Sequence, residues 1–313
     1  MKILCTAPFK NFKASQEILK KNSKVTFLEY PSYNAVSKII HNYDGYIPNA
    51  RMKIDKKLLK KAKKLKVIYQ PSLGKDHIDL LACNELKIKI LGLSDDKLFQ
   101  KTLWSTAEFT IGLILACLKR ISESSNDVTK KGNWRNTDYI GNDLSNLKVG
   151  IIGYGNIGSK VDKLLQAFDV KTFKCDPYIE QVDDSFINLD EIFEKSDLIT
   201  LHVPLTKETN QFITYKSFSK MKEGFFINSS RGPVIKDQDL IKAMNKNYIT
   251  AAALDVISNE NVKGVKGHSL VKYSKINKRL MITPHLGGSS FEYLNKIFLH
   301  SAQRLLNELK NEI

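Results

Sequence analysis

The stretch KVGIIGYGNIG, residues 148–158, decides the fold. An apolar run, Val149 to Ile152, enters a glycine-rich turn, Gly153-Tyr154-Gly155-Asn156-Ile157-Gly158, and a helical pattern follows. A second strand pattern, VKTFKCD, then ends at Asp176. Each glycine has a mechanical role. Gly153 permits the tight turn, Gly155 lets the backbone approach a pyrophosphate, and Gly158 lets the helix pack close to the strand. The helix N-terminus turns unpaired N–H groups and a positive dipole end toward the phosphates. Asp176 can accept hydrogen bonds from both ribose hydroxyls of an adenosine. Its charge favours NAD over NADP, because Cys175 and Pro177 beside it offer no cation to offset a 2′-phosphate. Strand, turn, helix, strand and terminal acid in this order are far more specific than the glycine spacing alone.

The motif begins at residue 148 of 313, which leaves room ahead of it for a second domain. That leading part alternates strand patterns, at 2–7, 24–29, 45–49, 66–71 and 87–93, with helical ones such as DKKLLKKAKK, 55–64. Downstream, strand patterns resume in DLITLHVP, GFFINSS, ITAAALDV and RLMITP. Alternation of this kind implies parallel sheets flanked by helices. The expected architecture is α/β with two doubly wound parallel-sheet domains. A Rossmann dinucleotide-binding domain, 101–288, is inserted in a discontinuous flavodoxin-like substrate domain, 1–100 and 289–313, because the closing helical pattern from 289 packs back on the first domain.

Composition narrows the class. With 42% hydrophobic and 26% charged residues the chain reads as a globular enzyme, and its net charge of +16 comes mostly from lysines on solvated helix faces. No zinc-finger spacing, aromatic-basic signature or basic tail supports nucleic-acid binding. The apolar run at 109–118 is too short to cross a bilayer and reads as a helix buried in a core or a subunit interface. Cys5, Cys83, Cys117 and Cys175 form no CxxC pair, and MKILCTAPFK starts a strand rather than a leader. A reduced, cytoplasmic protein is expected, with no metal site and no membrane or nucleic-acid partner.

In open α/β sheets ligands bind outside the carboxyl ends of the strands. Those ends carry Asp176, then His202-Val203-Pro204, then Ser229-Ser230-Arg231-Gly232, then Asp255 with Glu260 beyond it, then Pro284-His285-Leu286-Gly287. Arginine, glutamate and histidine on one rim suit the oxidation of a 2-hydroxy acid. His285 can take the hydroxyl proton, Glu260 can hold the far ring nitrogen, and Arg231 can bind the carboxylate and carbonyl in a planar fork. His41, His77, His268 and His300 read as structural or surface residues, and His202 as a cofactor contact rather than a reacting group.

GYGNIG, the strand-end Asp176, HVPLTKETN, INSSRGPVI, AALDV with Glu260, and ITPHLGG occur in an order that resembles the D-isomer-specific 2-hydroxyacid dehydrogenase family over essentially the whole chain. The resemblance implies Arg231, Glu260 and His285 as the catalytic set. It implies NAD as cofactor, contacted by Asn156, Ile157, Asp176, Ser230, Asp255 and Gly287; the turn glycines Gly153, Gly155 and Gly158 and the strand-end residues His202, Val203, Pro204, Thr209 and Ser229 complete the expected cofactor set. It also implies a homodimer built largely on the cofactor domain, which suits the 109–118 helix, and a small 2-keto or 2-hydroxy acid as substrate. The loop QPSLGKDHID, 70–79, resembles the segment whose backbone amides hold the substrate carboxylate, through Ser72, Leu73 and Gly74. Here Ser72 replaces a usual glycine and Lys75 a usual apolar residue, and Asn261 and Phe109 stand where proline and histidine are common. Arg51, Leu73 and Lys75 are the expected sources of substrate discrimination. No regulatory domain of the long-form phosphoglycerate dehydrogenases is expected after the last helix. An NAD(H)-sensing corepressor-type module is the alternative reading, although the full catalytic set favours an enzyme. Glu260 in place of glutamine argues against a formate dehydrogenase.

Overall fold

The computed structural model describes residues 1–134, 137–180, 183–260 and 264–312. It divides into two compact units, Met1–Leu103 with Ser289–Ile313, and Trp104–Gly288. The division falls three residues beyond the expected 100, because Leu103 packs into the first unit's core beside Leu93.

Five strands build the first unit: β1 (Lys2–Cys5), β2 (Lys24–Phe27), β3 (Gly45–Ile47), β4 (Val67–Gln70) and β5 (Lys89–Gly92). They lie in the order β2-β1-β3-β4-β5, all parallel, the flavodoxin-like arrangement. β3 and β4 are buried along their whole length, as a sheet covered by helices on both faces requires. The closing helix Phe291–Asn311 places Ile297, Phe298, Ala302, Leu305 and Leu309 on one stripe, at the three- and four-residue spacing of a helix face. That stripe packs with Ile3, Cys5, Val67 and Tyr69. Each large side chain of that stripe, fully buried, contributes roughly 1.5–3 kcal/mol, which returns the chain's end to its beginning.

The lysine-rich segment 55–64 differs from its helical expectation. Only Lys56–Leu59 is α-helical, capped by Asp55, whose carboxylate accepts from Leu58 N at 2.9 Å. Beyond it Lys61 and Ala62 donate to the carbonyls three residues back. Leu59, Ala62 and Leu65 all enter one core, and a three-residue repeat serves that spacing better than 3.6.

The second unit holds β6 (Lys148–Ile152), β7 (Lys171–Cys175), β8 (Leu198–Leu201), β9 (Gly224–Asn228), β10 (Ile249–Leu254) and β11 (Leu280–Ile282). Their order is β11-β10-β9-β8-β6-β7, all parallel. A single parallel bridge, Lys174 to Phe186, adds a vestigial strand outside β7. Counting that bridge as a strand, the first six follow the 3-2-1-4-5-6 order of the Rossmann sheet. The strand order reverses between β6 and β8, so ligands are expected at the carboxyl ends of those two strands.

The helix Ser105–Leu118 is apolar nearly all round because it is a core helix of this unit. Ala107, Ile111, Leu113, Ile114, Cys117 and Leu118 are buried against Val149, Ile151, Phe225 and Ala253. Its own domain thus covers one side of the helix, while Phe109, Leu115 and Ala116 on the other stay half-buried.

Candidate active site

At the switch point the glycine-rich turn has the geometry its sequence requires. Gly153 has φ +89°, and a Cβ there would lie 2.7 Å from the His202 carbonyl carbon at the end of β8. A Cβ on Gly158 would meet the Gly153 oxygen at 2.0 Å, so the helix Asn156–Gln166 sits directly on the turn. Gly155 faces open space. It is the N-cap of that helix and carries no side-chain cap. Nearby, the Asn156 amide nitrogen is buried without a hydrogen-bond partner. An uncapped helix start, an open face and an orphaned donor together fit the pyrophosphate of a dinucleotide.

Asp176, directly after β7, is fixed from two sides: its Oδ2 accepts from Tyr154 N at 2.8 Å and its Oδ1 from Tyr178 N at 3.0 Å. After β8, burial pushes His202 down to about 3, and its Nε2 lies 3.0 Å from Thr200 Oγ1. The ring is therefore neutral at physiological pH and cannot serve as the acid. Val203 lies against the unit's core, and the Thr209 hydroxyl donates to the Pro204 carbonyl at 2.6 Å, closing that loop.

Arg231, Glu260 and His285 lie in loops after three neighbouring strands, β9, β10 and β11, and a continuous chain of bonds links those loops. Asn228 Nδ2 donates to the Arg231 carbonyl at 3.1 Å. Asp255 N donates to the Asn228 carbonyl at 2.8 Å and His285 N to the Asp255 carbonyl at 2.9 Å. His285 Nδ1 and Glu260 Oε1 are 2.6 Å apart. Gly232 allows the closest approach, since a Cβ there would stand 2.0 Å from the Ile257 carbonyl carbon. His285 has φ +59°, a left-handed conformation that costs a β-carbon residue free energy and that the surrounding bonds must impose. The imidazole remains 44% exposed, so a substrate can reach it.

Several residues expected to contact the cofactor also bond within the domain. Asp255 is 1% exposed. Its carboxylate accepts from Thr283 Oγ1 at 2.6 Å, Leu286 N at 2.8 Å and Gly287 N at 2.8 Å, so it holds the loop that carries His285. Gly287 also accepts from Ser105 Oγ at 2.9 Å. The Ser229 hydroxyl pairs with Thr110 Oγ1 at 2.8 Å, and the Ser230 hydroxyl donates to Asn228 Oδ1 at 2.8 Å. These two hydroxyls shape the turn before Arg231, whose Nη1 donates to the Ser230 carbonyl at 2.7 Å.

Two supports escape sequence reasoning. Ser258, two residues before Glu260, donates to Asp237 Oδ2 at 2.5 Å and lies 3.0 Å from His268 Nε2. His268 Nδ1 accepts from Leu270 N, so its proton sits on Nε2. The trio therefore holds the loop rather than activating the serine. The other is the set of groups around Tyr154 and Asp162, joined by the Tyr154 hydroxyl. No local sequence signal marks either, since the partners lie on separate elements. The expected departure at Asn261 lies outside the described residues.

In the first unit, the loop after β4 turns its side chains inward. Leu73 packs against that unit's core, and Lys75 Nζ pairs with Asp95 at 2.7 Å. Arg51 stacks on the Tyr30 ring at 4.8 Å. Leu73 and Lys75, expected to select the substrate, thus make contacts within their own domain. Ser72 Oγ accepts from Gln70 Nε2 at 2.6 Å and donates to the Gly74 carbonyl at 3.1 Å, which rounds the loop. Among the described residues, the backbone N–H groups of Ser72, Leu73, Gly74 and Lys75 meet no protein acceptor.

A Rossmann-ordered sheet with such a glycine turn and strand-end acid defines a domain that binds a nicotinamide dinucleotide. Residues 111–287 match the family model described as D-isomer specific 2-hydroxyacid dehydrogenase, NAD binding domain, and the chain belongs to that family. It is 30% identical over 299 residues to a hydroxypyruvate reductase of Thermotoga maritima, with 95% of this chain and 94% of the relative covered. It is 33% identical to a glyoxylate reductase of Thermofilum pendens, with 90% and 83% covered. Among solved structures, a D-lactate dehydrogenase from Aquifex aeolicus complexed with NAD and lactic acid is similar, with TM-score 0.85, 27% identity, and 100% of this chain and 96% of that one covered.

Proposed function

We propose that this chain interconverts a D-2-hydroxy acid and its 2-keto acid with NAD, using Arg231, Glu260 and His285. The observation that carries the reading is the 2.6 Å pair of His285 Nδ1 and Glu260 Oε1. It leaves Nε2 of a partly exposed ring to exchange a proton with a substrate oxygen. NAD, when bound, supplies the hydride acceptor. In oxidation, His285 Nε2 takes the hydroxyl proton while Glu260 holds the tautomer and the resulting imidazolium. In reduction the same nitrogen returns the proton to the carbonyl oxygen. Arg231 offers its planar fork to the carboxylate and carbonyl common to all 2-keto acids. The unpaired amides of Ser72 to Lys75 offer a nest of donors suited to a carboxylate. Of Arg51, Leu73 and Lys75, Arg51 is assigned to discrimination among substrates: it is exposed and stacks on Tyr30, whereas Leu73 packs against the core and Lys75 is ion-paired.

Asp255, Ser229 and Ser230, also expected beside the cofactor, shape the site through the bonds they make inside the domain. Gly153, Gly155, Asn156, Ile157, Gly158, Asp176, His202, Val203, Pro204, Thr209 and Gly287 border the cofactor. A homodimer is the assembly that family membership supports, and Ile121 (53% exposed), Trp134 (77%) and Ile140 (80%) give the second unit apolar surface for it. Four free cysteines accord with a reducing cytoplasm. No helix among the described residues is long and apolar enough to cross a membrane. The test is a panel of 2-keto acids of increasing size and charge assayed with NADH. Turnover of at least one, with D-product, is expected; NADH binding without turnover of any would instead favour the sensing module.

A further inference from the structure

The glycine-rich turn is anchored through the side chain of Tyr154, the residue between its first two glycines. The Tyr154 hydroxyl donates to Asp162 Oδ2 at 2.6 Å, and its backbone N–H donates to Asp176 Oδ2 at 2.8 Å. One residue thus joins the helix after the turn to the acid that ends the next strand. Asp162 is 1% exposed. Its other oxygen accepts from Thr172 Oγ1 at 2.6 Å, and Lys174 Nζ stands 3.6 Å from Oδ2. Lys174, 9% exposed, also donates to Ser185 Oγ at 3.0 Å. It lies 6.0 Å from the ring centroids of both Tyr154 and Phe186, and those two rings meet edge-on at 5.3 Å. Every strut of this brace belongs to the glycine turn, its helix, β7 or the vestigial strand at Phe186. These are the elements that surround the adenosine half of a dinucleotide, and none of them belongs to the His285 loop.

We propose that Tyr154 is a positioning residue for the adenosine end of NAD: through Asp162 it fixes the peptide that holds Asp176 in place, and so sets cofactor affinity without entering the chemical step. The inference rests on the NAD-dependent reading above. Burial first, and the Asp162 carboxylate second, push the Tyr154 hydroxyl above the ordinary phenol range. It therefore donates at every pH at which the enzyme works. Phenylalanine keeps the ring against Phe186 and removes only the hydroxyl.

The experiment compares wild type, Tyr154→Phe and Thr172→Val, each titrated with NADH, NADPH and ADP-ribose and assayed at saturating keto acid, with Tm measured alongside. In Tyr154→Phe the Kd for NADH and for ADP-ribose is expected to rise together by about ten-fold, the loss of one hydrogen bond to a charged group. kcat and the keto-acid KM stay within about two-fold, and the preference for NADH over NADPH narrows, because Asp176 is held less firmly. Thr172→Val removes a bond to the same carboxylate without touching the turn, so it lowers Tm while leaving the NADH Kd near wild type. The proposal is overturned if Tyr154→Phe binds NADH as wild type does, if its kcat falls as far as its affinity, or if Thr172→Val weakens NADH equally, which marks the network as general scaffold. Wild type that binds no NADH would overturn the underlying reading as well, so the two failures are distinct.

Discussion

The two units place their reactive groups by opposite means. In the second, the loops after β9, β10 and β11 are laced from Arg231 through Asn228 and Asp255 to His285 and Glu260, and side chains face outward from that lacing. In the first, the loop after β4 sends Leu73 into the core and Lys75 to Asp95, and presents backbone. Chemistry that needs a specific acid, base and fork is carried by side chains on a stiff frame. On the proposed reading, the main-chain donors after β4 assist Arg231 in holding the carboxylate shared by every substrate, and no substitution by a residue other than proline deletes them. On that reading Ser72 and Lys75 can depart from the expected pattern without removing a donor.

The largest combined loss of stability and turnover that can break this comparison is at Asp255. Asp255→Ala removes the acceptor for three bonds and strands two loop N–H groups. Stability should fall by about 3 kcal/mol or more, and turnover by about 100-fold as the His285 loop shifts. Thermal unfolding and kcat measure both; a stable variant with normal turnover would mean the lacing does not matter. Next in size, Arg231→Lys should slow every keto acid in a panel by about ten- to hundred-fold, since it loses the fork. An effect confined to one substrate would move discrimination into the second unit.

A smaller effect concerns pH. Burial holds His202 down at about 3 against an ordinary 6.5, so the unfolded chain takes up a proton near 6.5 that the folded chain refuses. Stability should therefore decline as pH falls from 6.5 toward 3, and His202→Gln should flatten that slope in denaturant titrations at stepped pH. An unchanged slope would place the acid sensitivity elsewhere. The smallest effect is Lys75→Met, expected to cost about 1 kcal/mol, as for a half-buried ion pair near the surface, and to leave the keto-acid ranking unaltered. A re-ranked panel would show that Lys75 leaves Asp95 to meet the substrate.

What is legible in the sequence follows the same division. GYGNIG with Asp176 can be read because strand, turn and acid are contiguous, and strand-end residues can be read because a parallel sheet puts every carboxyl end on one edge. Direction within a loop cannot. Lys75 turns back because Asp95 stands twenty residues on and Gly92 leaves room, a Cβ there lying 2.9 Å from Lys75 Cε. Tyr154 reads as filler between glycines until the next helix turns Asp162 toward its hydroxyl. The 109–118 run is as apolar as an interface, and only the sheet packed against it shows that its own domain covers one side of it. The vestigial strand at Phe186 escapes detection because a single bridge carries no alternation.

The measurement that bears most directly on the central claim is His285→Ala, assayed for keto-acid reduction and titrated with NADH in parallel. If the laced loops supply the chemistry and the glycine turn supplies the cofactor, turnover falls by about two to four orders of magnitude while the NADH Kd stays within about two-fold of wild type. Turnover near the wild-type value would contradict the assignment of His285, and a matching loss of NADH affinity would contradict the separation of chemistry from cofactor binding.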